Sequence, residues 1–138
     1  MSLVIDAALT MTWYFEDEAT ACADEILGRL SDVGAWVPST WRLEVANAFA
    51  LAVKHRRVDA VYRDASLNEL SLLPITIDTE TSTYAWSTTL RIAERFSLTT
   101  YDAAYLELAQ RRSLPLASAN SAMRAAAPTL DIELLGAG

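Results

Sequence analysis

Short apolar runs bounded by turn residues alternate with longer helical patterns along the whole chain, and that alternation leaves few folds open. Residues 3–6 read as a strand, 17–30 as an amphipathic helix, and 35–37 as a second strand closed by Pro38. Helices are expected over about 40–54 and 58–71, then a third strand over 73–77, where Pro74 suits a strand start. A helix over about 80–96, another over 102–112, a strand over 114–117, a short helix over 121–127 and a last strand over 132–135 complete the pattern. Strands separated by helices imply crossover connections and an α/β domain whose mostly parallel central sheet is covered by helices on both faces. The 138 residues suit a single domain over 1–138, and 52% hydrophobic against 21% charged residues supply a core for it. No repeat, linker or low-complexity segment interrupts it, and 136–138 read as a frayed end without chemistry.

Charge and composition exclude several functions. A formal net charge of -7 makes the molecule as a whole repel nucleic acid, which disfavours a nonspecific DNA-binding module. It predicts instead a basic partner, or selective contact with a particular nucleic-acid fold, because a bound cation and local basic patches can bring phosphate to an acidic pocket. The one cysteine, Cys22, has no partner for an intramolecular disulfide, and 1–6 lack a basic region followed by a long apolar stretch. A reducing, cytoplasmic location without an export signal is the expectation. No apolar run approaches the roughly 18 residues needed to cross a bilayer, so no membrane span is expected.

Ligands bind such sheets at the carboxyl ends of the strands. Asp6 ends the first strand, Asp102 opens a helix on what should be the same rim, Asn120 lies just past the 114–117 strand, and Glu44 comes in from a helix. At helical spacing Glu44 shares a face with Trp41, Ala48 and Leu51, which implies partial burial. Each acid also has a simpler explanation. Asp6 can cap a following helical turn. Asp102 fits a capping box begun by Thr99. Glu44 can pair with Arg42 or Lys54. Brought together, however, two carboxylates about 5 Å apart repel by about 3 kcal/mol at an effective dielectric near 20, so a cluster of three takes up protons unless a cation neutralises it. Oxygen ligands without Cys or clustered His favour Mg2+ or Mn2+ over Zn2+. His55, within Lys54-His55-Arg56-Arg57, reads as a solvated helix end. A metal-dependent hydrolase acting on a phosphodiester is the reading these acids support.

Leu3-Val4-Ile5-Asp6-Ala7, Val37-Pro38 with Leu43-Glu44-Val45-Ala46-Asn47-Ala48, Leu98-Thr99-Thr100-Tyr101-Asp102-Ala103-Ala104-Tyr105-Leu106, and Leu114-Pro115-Leu116-Ala117-Ser118 occur in this order across nearly the whole chain. In that order and spacing the sequence resembles the PIN-domain VapC toxins of prokaryotic toxin-antitoxin pairs, Tyr101-Asp102-Ala103-Ala104-Tyr105 being the strongest single piece. The resemblance implies a PIN-like three-layer sandwich and a Mg2+- or Mn2+-dependent endoribonuclease paired as a homodimer. Its partners would be an RNA substrate, such as tRNA or ribosomal RNA, and a cognate VapB-type antitoxin whose C-terminal segment covers the acidic pocket. Carried onto this chain, Asp6, Glu44 and Asp102 match the family's acidic, catalytic metal ligands.

The sequence departs from that pattern at two positions. Asn120 stands where the family usually has a fourth acid, so its carbonyl oxygen would complete the metal set with one negative charge fewer and weaker metal binding. Ala8 stands where Ser, Thr or Asn often follows the first Asp. Ser118 keeps a hydroxyl at the rim, behind the ligands. A catalytically weak or inactive PIN module, acting mainly through antitoxin binding and dimerisation, is therefore the alternative expectation. Lys54, Arg56 and Arg57, and likewise Arg111 and Arg112, read first as cations at helix ends and second as RNA contacts. Trp13-Tyr14-Phe15 read as core, and Trp36, Trp41 and Trp86 as packing or a dimer surface.

Overall fold

In the computed structural model, which describes residues 1–136, five short strands form one wholly parallel sheet. They are β1 (Leu3–Ile5), β2 (Ala35–Val37), β3 (Ile75–Ile77), β4 (Leu116–Ala117) and β5 (Leu134–Leu135), in the order β3-β2-β1-β4-β5. Val4 lies in register with Trp36 on one side and Leu116 on the other. Leu3, Val4 and Ile5 are all 0% exposed, as a strand must be when helices cover both faces of its sheet. The α/β sandwich expected from the sequence is therefore the observed architecture. The expectation for 137–138 lies outside the described residues.

The helices are α1 (Ala7–Thr12), α2 (Ala21–Val33), α3 (Trp41–Lys54), α4 (Ala60–Ser71), α5 (Thr81–Tyr84), α6 (Leu90–Phe96), α7 (Thr100–Arg112) and α8 (Ser121–Ala126). Three local differences from the sequence reading have identifiable causes. Helix α1 was not expected, because six residues are too few to display a helical period; the Asp6 side chain starts it by accepting the Leu9 N–H at 2.7 Å. Helix α2 begins at Ala21, not at 17, because Thr20 caps it through the Ala23 N–H at 3.0 Å while Glu16–Glu18 form a 3-10 turn. It ends at Gly34, whose φ of +75° and close approach to the Pro74 carbonyl, 3.2 Å from where a Cβ would sit, both call for glycine. The helix expected over about 80–96 is broken by a π turn at Ala85–Thr89, at whose end the buried Thr89 hydroxyl has no hydrogen-bond partner among the described residues.

Phe49 of α3 and Tyr105 and Leu106 of α7 anchor the core against the sheet, each no more than 1% exposed. Each such burial contributes roughly 2 kcal/mol. Tyr14 and Phe15 pack against Phe49, both with ring centroids 5.9 Å from it, so the aromatic run after α1 is core as its sequence suggested. Trp41 is buried and Trp36 half-buried, whereas Trp86 in the π turn is 93% exposed.

Candidate active site

The strand order decides where the acids meet. β1 is followed in sequence by β2 on one side and, through three helical excursions, by β4 on the other, so the sheet reverses its winding between β1 and β4. Open parallel sheets bind ligands at such a switch point, outside the carboxyl ends of the two strands. Asp6 is the first residue past β1 and Ser118 the first past β4. Helix α3 begins soon after β2 ends, which brings Glu44 in its first turn to the same edge. Helix α7 must also start on this edge, because it returns the chain to the amino end of a strand parallel to β1; Asp102 sits in its first turn.

Asp6 is 2% exposed and is met by donors on both oxygens. Oδ1 accepts the Leu9 N–H at 2.7 Å, and Oδ2 accepts the Ser118 hydroxyl, whose oxygen in turn accepts the Asn120 N–H at 3.0 Å. The backbone carbonyl of Asp6 accepts from the Thr10 hydroxyl at 2.8 Å, and that hydroxyl accepts the Trp41 indole N–H at 3.1 Å, tying α3 to the end of β1. Burial pushes the Asp6 carboxyl above the ordinary aspartate value; Ser118 and the backbone N–H groups of Leu9 and Ala119 pull it back, and the charge of Asp102 pushes it up again. The expected capping role is therefore real, and it coexists with a buried carboxylate that has no cationic partner among the described residues.

Glu44 is half-buried, as its helical face implied. It pairs with neither Arg42 nor Lys54. Its Oε2 accepts two hydroxyls, from Tyr105 at 2.8 Å and from Thr40 at 3.1 Å. Burial raises its pKa, the Tyr105 and Thr40 hydrogen bonds lower it, and the charges of Asp102 and Asp6 raise it further. Asp102 is half-buried; its N–H is capped by the Thr99 hydroxyl at 3.1 Å, and its carboxylate accepts no hydrogen bond among the described residues. The first half of the expected capping box is thus present without the return bond. Asn120 caps α8, its Oδ1 accepting the Met123 N–H at 3.0 Å.

Asp6, Glu44 and Asp102 thus share one electrostatic neighbourhood. They do not close into a cage: among the described residues no three His, Cys, Asp or Glu side chains are gathered so that they could hold a metal ion as they stand. The chemistry of the set nonetheless fits a hard divalent cation. The donors are all oxygen, and buried Asp6 has no cationic partner among the described residues.

Tyr105 and Thr40 were not singled out from the sequence. The signal for Tyr105 was a lone hydroxyl in the buried stretch 103–109; that for Thr40 was its place four residues before Glu44 in the helix expected over about 40–54. The basic residues are accounted for differently. Arg57 stacks 4.3 Å over Phe15 and pairs with Asp17 and Glu18 at the surface. Arg111 binds Asp78, Glu107 and Glu80 at 2.6, 2.7 and 3.1 Å, with Asp78 and Glu107 buried, and it lies 4.8 Å over Tyr84. Arg112 stacks 3.7 Å over Trp36. No helix among the described residues is long and apolar enough to cross a membrane.

No protein-family model and no curated protein sequence matches the chain. Its fold is similar to the crystal structure of PAE2754 from Pyrobaculum aerophilum, with a TM-score of 0.65 over 94% of this chain and 95% of that one. At 20% identity the similarity is one of architecture.

Proposed function

We propose that this chain is a Mg2+- or Mn2+-dependent endoribonuclease of the PIN-domain VapC kind, the toxin of a toxin-antitoxin pair, hydrolysing phosphodiester bonds in RNA. The observation that carries this reading is Asp6: a carboxyl group 2% exposed, without a cationic partner among the described residues, at the sheet's switch point beside Glu44 and Asp102. A protein that keeps such a charge pays in stability for it, and the return is a site for a cation.

In this reading Asp6, Glu44 and Asp102 hold the ion, and the Asn120 amide oxygen adds a neutral donor. When bound, such a cation offsets charge developing on the phosphoryl group and makes a water nucleophilic near neutral pH. The chain's own residues supply orientation. Ser118 and the Leu9 N–H fix the Asp6 carboxyl, and the Tyr105 and Thr40 hydroxyls hold Glu44. Asp102, its carboxylate unengaged among the described residues, would keep one oxygen free to accept a hydrogen bond from a water in the site. The acidic net charge of -7 suits a basic antitoxin segment lying over this pocket. A cytoplasmic homodimer belongs to the same proposal.

The test is cleavage of structured RNA by antitoxin-free protein with Mg2+ or Mn2+. Wild type is expected to cleave and Asp6→Asn to lose cleavage; equal cleavage by both removes the site. A second reading, a catalytically weak module that binds antitoxin and dimerises, is favoured by two observations. The acids are not closed into a cage, and the Asn120 oxygen already caps α8. It is the conclusion if wild-type protein binds antitoxin and leaves RNA intact with either cation.

A further inference from the structure

We infer that the hydroxyls of Tyr105 and Thr40 form a fork that fixes the Glu44 carboxylate through one oxygen and so sets how well the acids take up a cation; both are positioning residues, and the inference rests on the metal-dependent reading above. Both hydroxyls donate to the same oxygen, Oε2, at 2.8 and 3.1 Å. Oε1 accepts no hydrogen bond among the described residues. One carboxylate oxygen is thus pinned from two sides, and the other is left free to ligate.

Each arm of the fork is itself braced. Tyr105 is 1% exposed and lies in the buried run Ala103 to Ala109, where a phenyl ring would fill the same space. A buried tyrosine hydroxyl needs a partner, and here that partner is Glu44. Tyr105 stands one turn from Asp102, so a single helix carries one acid and the group that aims another. Thr40 sits in the turn between β2 and α3. That turn is fastened to the end of β3: the Ser39 N–H donates to the Thr81 hydroxyl at 3.0 Å, and Thr81 donates to Asp78 at 2.9 Å. Partners behind metal ligands orient them, and their loss typically costs 10- to 100-fold in affinity.

The experiment is calorimetric titration of the full chain with Mn2+, using wild type, Tyr105→Phe, Thr40→Val, Thr40→Ser and Asp6→Asn. Tyr105→Phe and Thr40→Val are each expected to weaken Mn2+ binding on the order of 10-fold, and Thr40→Ser, which keeps the hydroxyl, to bind as wild type does. If Tyr105→Phe fails to fold, Thr40→Val at its half-buried position tests the same oxygen. Wild-type affinity in both hydroxyl-deleted variants, with binding abolished in Asp6→Asn, overturns the fork and leaves the metal-dependent reading standing. Loss in Thr40→Ser equal to that in Thr40→Val also overturns it, since the hydroxyl would not be what matters. A wild-type protein that takes up no Mn2+ overturns both.

Discussion

The Ser118 hydroxyl donates to the Asp6 carboxylate, joining two buried residues 112 positions apart in the chain. It is the only side-chain donor to the Asp6 carboxylate among the described residues. Ser118→Ala leaves the buried carboxylate one donor short, and the expected cost is about 1–3 kcal/mol of unfolding free energy at neutral pH. Urea unfolding measures it, and the deficit should shrink in acid, where Asp6 is protonated. A variant as stable as wild type at pH 7 would show that the bond contributes nothing net.

The pH dependence follows from burial. Asp6 and Glu44 have folded-state carboxyls raised above the ordinary values of 3.8 and 4.5, so the folded protein binds their protons more tightly than the unfolded chain does. Their contribution to stability is fully present below those ordinary values and is lost as pH rises through the folded ones. Asp78 acts in the opposite sense. Burial works to raise it, but the Arg111 and Thr81 hydrogen bonds outweigh burial and hold it below 3.8, so its contribution is present above that value and lost as pH falls through the folded one. With divalent cations chelated, Asp6→Asn should therefore be more stable than wild type at pH 7, by about 1.4 kcal/mol for each tenfold difference in proton affinity removed. The advantage should vanish toward pH 4. Unfolding curves across that range decide it, and a pH-independent loss in Asp6→Asn would refute the account.

Among the described residues Arg111 is the one cation set between buried Asp78 and buried Glu107, and those hydrogen bonds, Glu107 first, raise its own pKa. Arg111→Met removes the cation and strands two buried carboxylates. The expected loss is about 3–5 kcal/mol, read from the urea midpoint at neutral pH. Because Asp78 also braces Thr81 and the turn before α3, Mn2+ affinity should fall with it. A small stability change would mean that water reaches this cluster.

Asn120 separates two roles. Asn120→Ala removes the α8 cap and should cost about 1 kcal/mol. Asn120→Asp keeps a capping oxygen for Met123 while adding a negative charge beside the Ser118-Asp6 pair. It should bind Mn2+ more tightly than wild type and be less stable than wild type without it at pH 7. Calorimetry and unfolding on the same preparations check both, and unchanged Mn2+ affinity in Asn120→Asp would place this residue outside the cation's reach.

The fold was legible wherever local pattern and tertiary need coincide. Leu3-Val4-Ile5 and Ala35-Trp36-Val37 read as strands because a doubly covered strand is apolar throughout, and α3 and α7 because their long apolar faces repeat at helical spacing. Helix α1 was invisible since six residues show no period, and the π turn at Ala85–Thr89 since nothing in its composition distinguishes it from the helix around it. At the site, the chain order of strands and helices by itself determined that Asp6, Glu44 and Asp102 face one rim, because parallel strands put every strand exit and returning helix start on the same edge. Only the tertiary structure decided what each acid touches. These contacts depend on hydrogen-bond geometry of a few tenths of an ångström; the Thr40–Glu44 bond and the Asn120 cap are local, four and three residues apart, whereas the Ser118 hydroxyl on Asp6 and the Tyr105 hydroxyl on Glu44 join groups 112 and 61 positions apart. No pattern along one chain encodes that spacing, which arises when helices pack on a twisted sheet.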